Sequence, residues 1–188
     1  MDSATLDAAF WITSAIVLLL LMFSGFCSGS ETALTAASRG KLRAQADKGS
    51  KGAAKALEVK EDDERLIGAI LMGNNLANVI ATSLATALLT RLFGANGVAV
   101  ASLVMTALIL IFAEVMPKTY AISGPERAAG FAAPIVAVMI RVLSPLVAGV
   151  RALVRATLRL FGERVAAEDN LLSAREEISG AMHICHGD

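Results

Sequence analysis

The sequence predicts an all-α integral membrane protein. Three transmembrane helices are expected, joined by cytoplasmic juxtamembrane and interfacial helices. Three observations carry this. The 188-residue chain is 55% hydrophobic and only 18% charged. Its charges fall in blocks, separated by uncharged runs at Ala8–Ser30, Leu66–Thr90 and Leu92–Ala113, of 23, 25 and 22 residues. The Lys and Arg residues also alternate between sides from gap to gap.

Each uncharged run reaches the roughly 20 residues that cross a hydrocarbon core. The first span is placed at 8–30. The leader before it carries Asp2 and Asp7 and no Lys or Arg, the wrong sign for a signal peptide, so this span is expected to stay attached. The second span is placed at 66–90 and the third at 92–116. Between them lies a turn, Arg91-Leu92-Phe93-Gly94-Ala95-Asn96-Gly97.

Lys and Arg collect on the cytoplasmic side of membrane proteins. The first connection carries eight of them, from Arg39 to Arg65, whereas the second carries only Arg91. The expected topology is a multi-pass cell-membrane protein with its N-terminus outside and its C-terminus cytoplasmic. Residues 39–64 read as a pair of amphipathic juxtamembrane helices broken at Gly49-Ser50. Residues 128–162 are apolar, but Arg141 interrupts them, and Pro134 and Pro145 are expected to break a straight helix. At 100° per residue, Arg141, Arg151, Arg155 and Arg159 fall within roughly 80°. A basic stripe on an apolar helix suits an interfacial or re-entrant element against anionic headgroups. Residues 163–188 turn acidic and polar, as in a linker. The end, with His183, Cys185 and His186, is expected to close no element and to bind no metal.

Other functional classes recede. Net charge is zero, with one Trp and one Tyr, so no basic aromatic face exists for nucleic acid. Cys27 and Cys185 lie in unlike settings and form no disulfide framework. Both histidines are in the tail and the spans hold no nucleophile–base pair, so no enzyme is expected.

Polar residues inside spans are functional candidates by default. Ser24 and Ser28 stack on one helix face, with Gly25 and Gly29 beside them as a small-xxx-small pair that permits close helix approach. The second span holds Asn74, Asn75 and Asn78; Asn74 and Asn78 share a face and Asn75 points elsewhere. In the third, Pro117 has no N–H for the carbonyl of Ala113, leaving that oxygen beside the Glu114 carboxylate. Lys118, one turn on, is a charge partner for Glu114 or a snorkelling residue. Hydroxyls, amides, one carboxylate and a carbonyl are hard oxygen ligands, suited to Mg²⁺, Ca²⁺ or Na⁺. A single formal charge suits a site that an ion can leave.

The strings Ser28-Gly29-Ser30-Glu31-Thr32-Ala33-Leu34, Gly73-Asn74-Asn75-Leu76-Ala77-Asn78 and Glu114-Val115-Met116-Pro117-Lys118, in this order and spacing, resemble the transmembrane domain of the CorC/CNNM magnesium-transporter family. The likeness runs from about Ala8 to Gly162. It implies a homodimer of three-span protomers with a cytoplasmic belt, and Mg²⁺ efflux coupled to Na⁺. It further implies a dehydrated Mg²⁺ held by Ser24, Ser28, Asn74, Glu114 and the Ala113 carbonyl, with Asn75 and Asn78 as weaker candidates. The family pattern has Gly where this chain has Ala113. Family members continue into a paired CBS module, toward which 163–188 is expected to lead. Two other functions use the same oxygens: a Na⁺ or Ca²⁺ pathway, and a Mg²⁺-sensing membrane scaffold that regulates a partner transporter.

Overall fold

A computed structural model describes the backbone of residues 3–184 and the side chains of residues 8–157. Among these residues there is helix and no strand, so the all-helical class stands. The order is α1 (Ser3–Ala36), α2 (Arg39–Asp47), α3 (Lys51–Val59), α4 (Asp63–Phe93), a 3₁₀ turn (Gly94–Asn96), α5 (Gly97–Leu108), a π-helical segment (Ile109–Val115), α6 (Met116–Ser123) and α7 (Pro125–Ile184).

Local chemistry sets the boundaries. Gly49 adopts φ +93°, a left-handed conformation that glycine reaches without strain, and so turns α2 into α3. Ser50 then caps α3, its hydroxyl accepting from the Ala53 N–H at 3.3 Å. Asp62 caps α4 by accepting from the Arg65 N–H at 3.0 Å, and Asp63 and Glu64 add negative charge to the first turn, where the helix dipole favours it. Gly94, at φ +63°, ends α4. A Cβ on Gly97 would stand 2.4 Å from the Leu89 carbonyl oxygen; only glycine lets α5 return so tightly along α4.

Ala8–Ala36, Asp63–Ser123 and Pro125–Thr157 are long and apolar enough to cross a membrane. The second stretch contains the Gly94 turn and is a hairpin of two lengths. The third uncharged run is therefore not one regular helix. Leu92 and Phe93 belong to α4, and the remainder divides into the 3₁₀ turn, α5 and the start of the π segment.

The structure forms two compact units, Met1–Val147 and Ala148–Asp188. The first has two apolar layers. One is built by α1, α4 and α5 from Val17, Leu21, Ala81, Ala85 and Met105. The other gathers Cys27, Leu34, Leu42, Ala53, Ala56, Ile70, Ala121, Ala133 and Val136, so that α2, α3, α6 and the start of α7 join α1 and α4. Elsewhere large apolar side chains stay open: Trp11 is 70% exposed, Leu103 75% and Tyr120 76%. Water would penalise such a surface, at roughly 25 cal/mol per Å² of apolar area; lipid would not.

Helix α7 corrects two expectations. Pro134 and Pro145 do not end it; it is continuous from Pro125 to Ile184. Pro134 removes the hydrogen bond to the Gly130 carbonyl, and that carbonyl abuts α3: a Cβ on Gly52 would lie 2.4 Å from the Gly130 oxygen. The helix thus yields a backbone bond where another helix packs against the freed oxygen. The linker expected over 163–188 is helical as far as Ile184. Cys185 and His186 lie outside the described residues, as do the side chains of His183 and Arg159.

The path of α7 within the first unit is informative. Met139 and Leu143 meet α4 at Gly73, and Val147 meets it at Gly68. From Met139 to Val147, α7 thus moves back toward the start of α4. Among the described residues it takes no part in the α1–α4–α5 layer.

Candidate cation site

Helix α1 supplies the first wall. Ser24 and Ser28 are both buried, at 0% and 1% exposure. Ser24 donates to the Asn74 amide oxygen at 2.5 Å, and Asn78 donates its amide N–H to the same oxygen at 3.3 Å. A single amide oxygen therefore ties α1 to two turns of α4. Neighbouring hydroxyls behave differently: Ser30 donates to the Phe26 carbonyl and Thr32 to the Ser28 carbonyl. Such back-bonding is the ordinary fate of Ser and Thr in a helix.

Ser28 departs from that pattern. Its Oγ is buried with no hydrogen-bond partner among the described residues, and so is the Asn78 amide oxygen. Leaving a buried polar atom unsatisfied costs about 1–3 kcal/mol. Native proteins pair nearly all such atoms, and an exception calls for a reason such as an ion or water.

The second wall is the π segment. The Met116 N–H bonds to the Ile111 carbonyl, five residues back. Continued by one residue, this register sets the Phe112 carbonyl opposite Pro117, which has no N–H. The reading of an ordinary i→i−4 register named the Ala113 carbonyl instead; the π register transfers the loss to Phe112. That oxygen faces α1, 3.0 Å from where a Cβ on Gly25 would stand. The same Cβ would meet Pro117 Cγ at 3.2 Å and Ala113 Cα at 3.5 Å, and one on Gly29 would meet Pro117 at 3.3 Å. The two glycines expected to allow close approach are thus the floor on which the π segment and Pro117 sit. π turns concentrate at functional sites.

Ala113 is fully buried and Glu114 half-buried. Lys118 is exposed and does not make the ion pair with Glu114 that the spacing allowed, so its ammonium is left to the surface. Asn75 is exposed on α4, away from Ser24. The structure therefore joins Ser24, Asn74 and Asn78, with Ser28 one turn along α1, and sets Phe112 and Ala113 against Gly25 of the same helix. It leaves Asn75 and Lys118 out. Among the described residues no three His, Cys, Asp or Glu side chains gather, so any ion here would be held chiefly by neutral oxygens.

Comparison with known proteins bears on the same segments. The family model of the cyclin M transmembrane N-terminal domain matches residues 15–187. The chain belongs to this family. A UPF0053 protein of Haemophilus influenzae is 32% identical over 94% of the chain and 41% of its own length. The UPF0053 inner membrane protein YfjD of Escherichia coli is 35% identical over 85% of the chain and 37% of its own length. A chloroplastic DUF21 domain-containing protein of Arabidopsis thaliana is 32% identical over 89% of the chain and 26% of its own length. The chain spans about two fifths or less of these three relatives.

Two residues of this cyclin M domain escaped the sequence reading. The Phe112 carbonyl could be found only from the π register. Lys60 reads in the sequence as one more loop charge, yet it is buried, and its ammonium donates to the Leu34 carbonyl and, at 2.8 Å, to the Ala37 carbonyl. It caps the end of α1 from the end of α3. Arg39 in turn donates to the Lys60 carbonyl at 2.5 Å. Burial, then the nearby Arg39, lower the Lys60 pKa from 10.5, while Asp63 opposes them. One signal was available: the last turn of α1 has no basic residue of its own, although cations favour that end.

Proposed function

We propose that this chain binds Mg²⁺ between α1, α4 and the π segment and carries it across the membrane, with Na⁺ as the coupling ion. The ligands are Ser24, Ser28, Asn74 and Glu114, with a backbone carbonyl of the π segment and with Asn78 behind Asn74. The observation that carries this reading is Ser28 Oγ, buried and unpartnered beside the Ser24–Asn74 hydrogen bond. A buried hydroxyl left open one turn from a hydroxyl–amide pair offers the kind of oxygen that a hard cation takes. Mg²⁺ demands short, near-octahedral oxygen contacts and dehydrates reluctantly. A mostly neutral cage can offset that dehydration only when closed, and releases the ion when its walls part.

In the membrane, α1, α4 and α5 with the π segment are the three spans of each protomer, and two protomers form a homodimer. Helix α7, which turns back along α4 at Gly68, lies at the cytoplasmic surface with Arg141 and Arg155 toward anionic headgroups. The N-terminus is outside.

The test is calorimetric titration of Mg²⁺ into purified protein, paired with Mg²⁺ efflux from proteoliposomes with and without an inward Na⁺ gradient. Glu114→Gln should abolish measurable binding and flux while the protein still folds. Unchanged affinity in that variant would sink the site. Saturable binding without any flux would make the chain a Mg²⁺ sensor. Flux indifferent to Na⁺ would remove the coupling.

A further inference from the structure

One carboxylate of the first motif has no role in this site. At 100° per residue, Ser24, Ser28 and Glu31 fall within roughly 60° on one face of α1. Glu31 is half-buried. It forms none of the ion pairs found among the described residues. Lys60, which reaches the end of α1, is committed to the carbonyls of Leu34 and Ala37. Between the Ser24–Asn74 pair and Glu31 stands Ser28, its hydroxyl buried and unpartnered. Ser30 and Thr32, which flank Glu31, spend their hydroxyls on their own helix. The stripe is therefore Ser24, Ser28, Glu31, with its one charge at the end toward α2.

Length forbids Glu31 from sharing an ion with Ser24. Seven residues of α-helix rise about 10 Å, whereas Mg²⁺–oxygen contacts are about 2.0–2.1 Å. We propose that Glu31 forms a second, outlying cation station that receives hydrated Mg²⁺ and passes it along Ser28 to the inner site. Mg²⁺ typically keeps several waters and binds through one or two carboxylates; a single half-exposed Glu suits that form of the ion and not the dehydrated one. Ser28 is then the step at which water is exchanged for protein oxygen.

The inference rests on the inner-site reading above, and the experiment separates the two. Full-length chain in proteoliposomes is loaded with graded Mg²⁺, and efflux is measured for wild type, Glu31→Gln, Glu31→Asp and Glu114→Gln, with ionic strength set by choline chloride. Glu31→Gln should raise the Mg²⁺ concentration for half-maximal efflux by about fivefold, the worth of one partly exposed charge, and keep the maximal rate. Its calorimetric affinity at the inner site should stay within about twofold. Added choline chloride should weaken half-saturation in wild type and much less in Glu31→Gln, because screening acts on the charge that was removed; a merely structural glutamate would not shift that slope. Glu31→Asp, which keeps the charge on a shorter stem, should fall between them and carries the test if the Gln variant does not fold. Wild-type half-saturation and salt slope in a folded Glu31 variant would overturn the station. Wild-type binding in Glu114→Gln would overturn the inner site instead, whatever the Glu31 variants do.

Discussion

Gly25→Ala places one methyl group between α1 and the π segment. Its carbon would stand 3.0 Å from the Phe112 oxygen, 3.2 Å from Pro117 Cγ and 3.5 Å from Ala113 Cα. Carbon–carbon contacts settle near 3.5–4.0 Å, so the Pro117 contact is short by about 0.3–0.8 Å. Two of the three obstructing atoms are backbone and the third belongs to a proline ring, so no flexible side chain can swing aside. Overpacking of this kind costs typically about 1–3 kcal/mol. For a chain of this size each kcal/mol lowers the melting temperature by about 2–4 °C. The variant should therefore melt below wild type in detergent by several degrees. Pushing the π segment outward also moves Phe112 and Ala113 away from α1, so the rise in melting temperature on adding Mg²⁺, which scales with affinity, should shrink. Gly29→Ala, at 3.3 Å from Pro117, should show both effects more weakly. Gly124→Ala has nothing within 4 Å and should melt like wild type. Gly25→Ala with unchanged melting and an unchanged Mg²⁺ increment would refute the close-approach account.

Lys60→Met should destabilise by about 2–4 kcal/mol, since two buried carbonyls lose a charged donor; chemical denaturation measures it. Because the folded pKa of Lys60 lies below 10.5, the native state gives up this proton first. Stability contributed here is flat at lower pH and rises from the folded value up to 10.5. Lys60→Met should lack that rise, and parallel alkaline curves for the two proteins would count against it. Asn74→Ala should lose about 1–3 kcal/mol, by stranding the Ser24 and Asn78 donors, together with Mg²⁺ affinity. Asn75→Ala, altering an exposed side chain, should stay within about 0.5 kcal/mol and bind Mg²⁺ like wild type; equal losses in calorimetry would erase the distinction between the two asparagines.

The helical class was legible because hydrocarbon imposes a crude demand: long runs without charge. Leu66–Thr90 meets it whatever its neighbours do. Helical phase was legible too, since Asn74 and Asn78 share a face by geometry alone, with Asn75 turned out. What depended on a second element was hidden. Pro117 is visible in the sequence as a lost donor, but which carbonyl loses it depends on the π register. Pro134 reads as a break until Gly52 is found against the freed Gly130 oxygen. Lys60 looks like any loop lysine because its acceptors, Leu34 and Ala37, lie 26 and 23 residues back. Glu31 lies within the Ser28–Leu34 motif, and is distinguished only by its neighbours' hydroxyls being spent while that of Ser28 is not.

The grip of Lys60 on the end of α1 also has a consequence for biogenesis. Leu34 leaves the ribosome 26 residues before its donor, and chains grow at about 5–20 residues per second. For about 1–5 s, the first span is in place while its last carbonyls have only water as a partner. The clasp closes when α2, α3 and Lys60 have emerged, shortly before α4 begins to enter the bilayer. The first helix is thus anchored at its C-terminal end before its partner helix arrives, and the depth of Ser24 and Ser28 is set before Asn74 has left the ribosome.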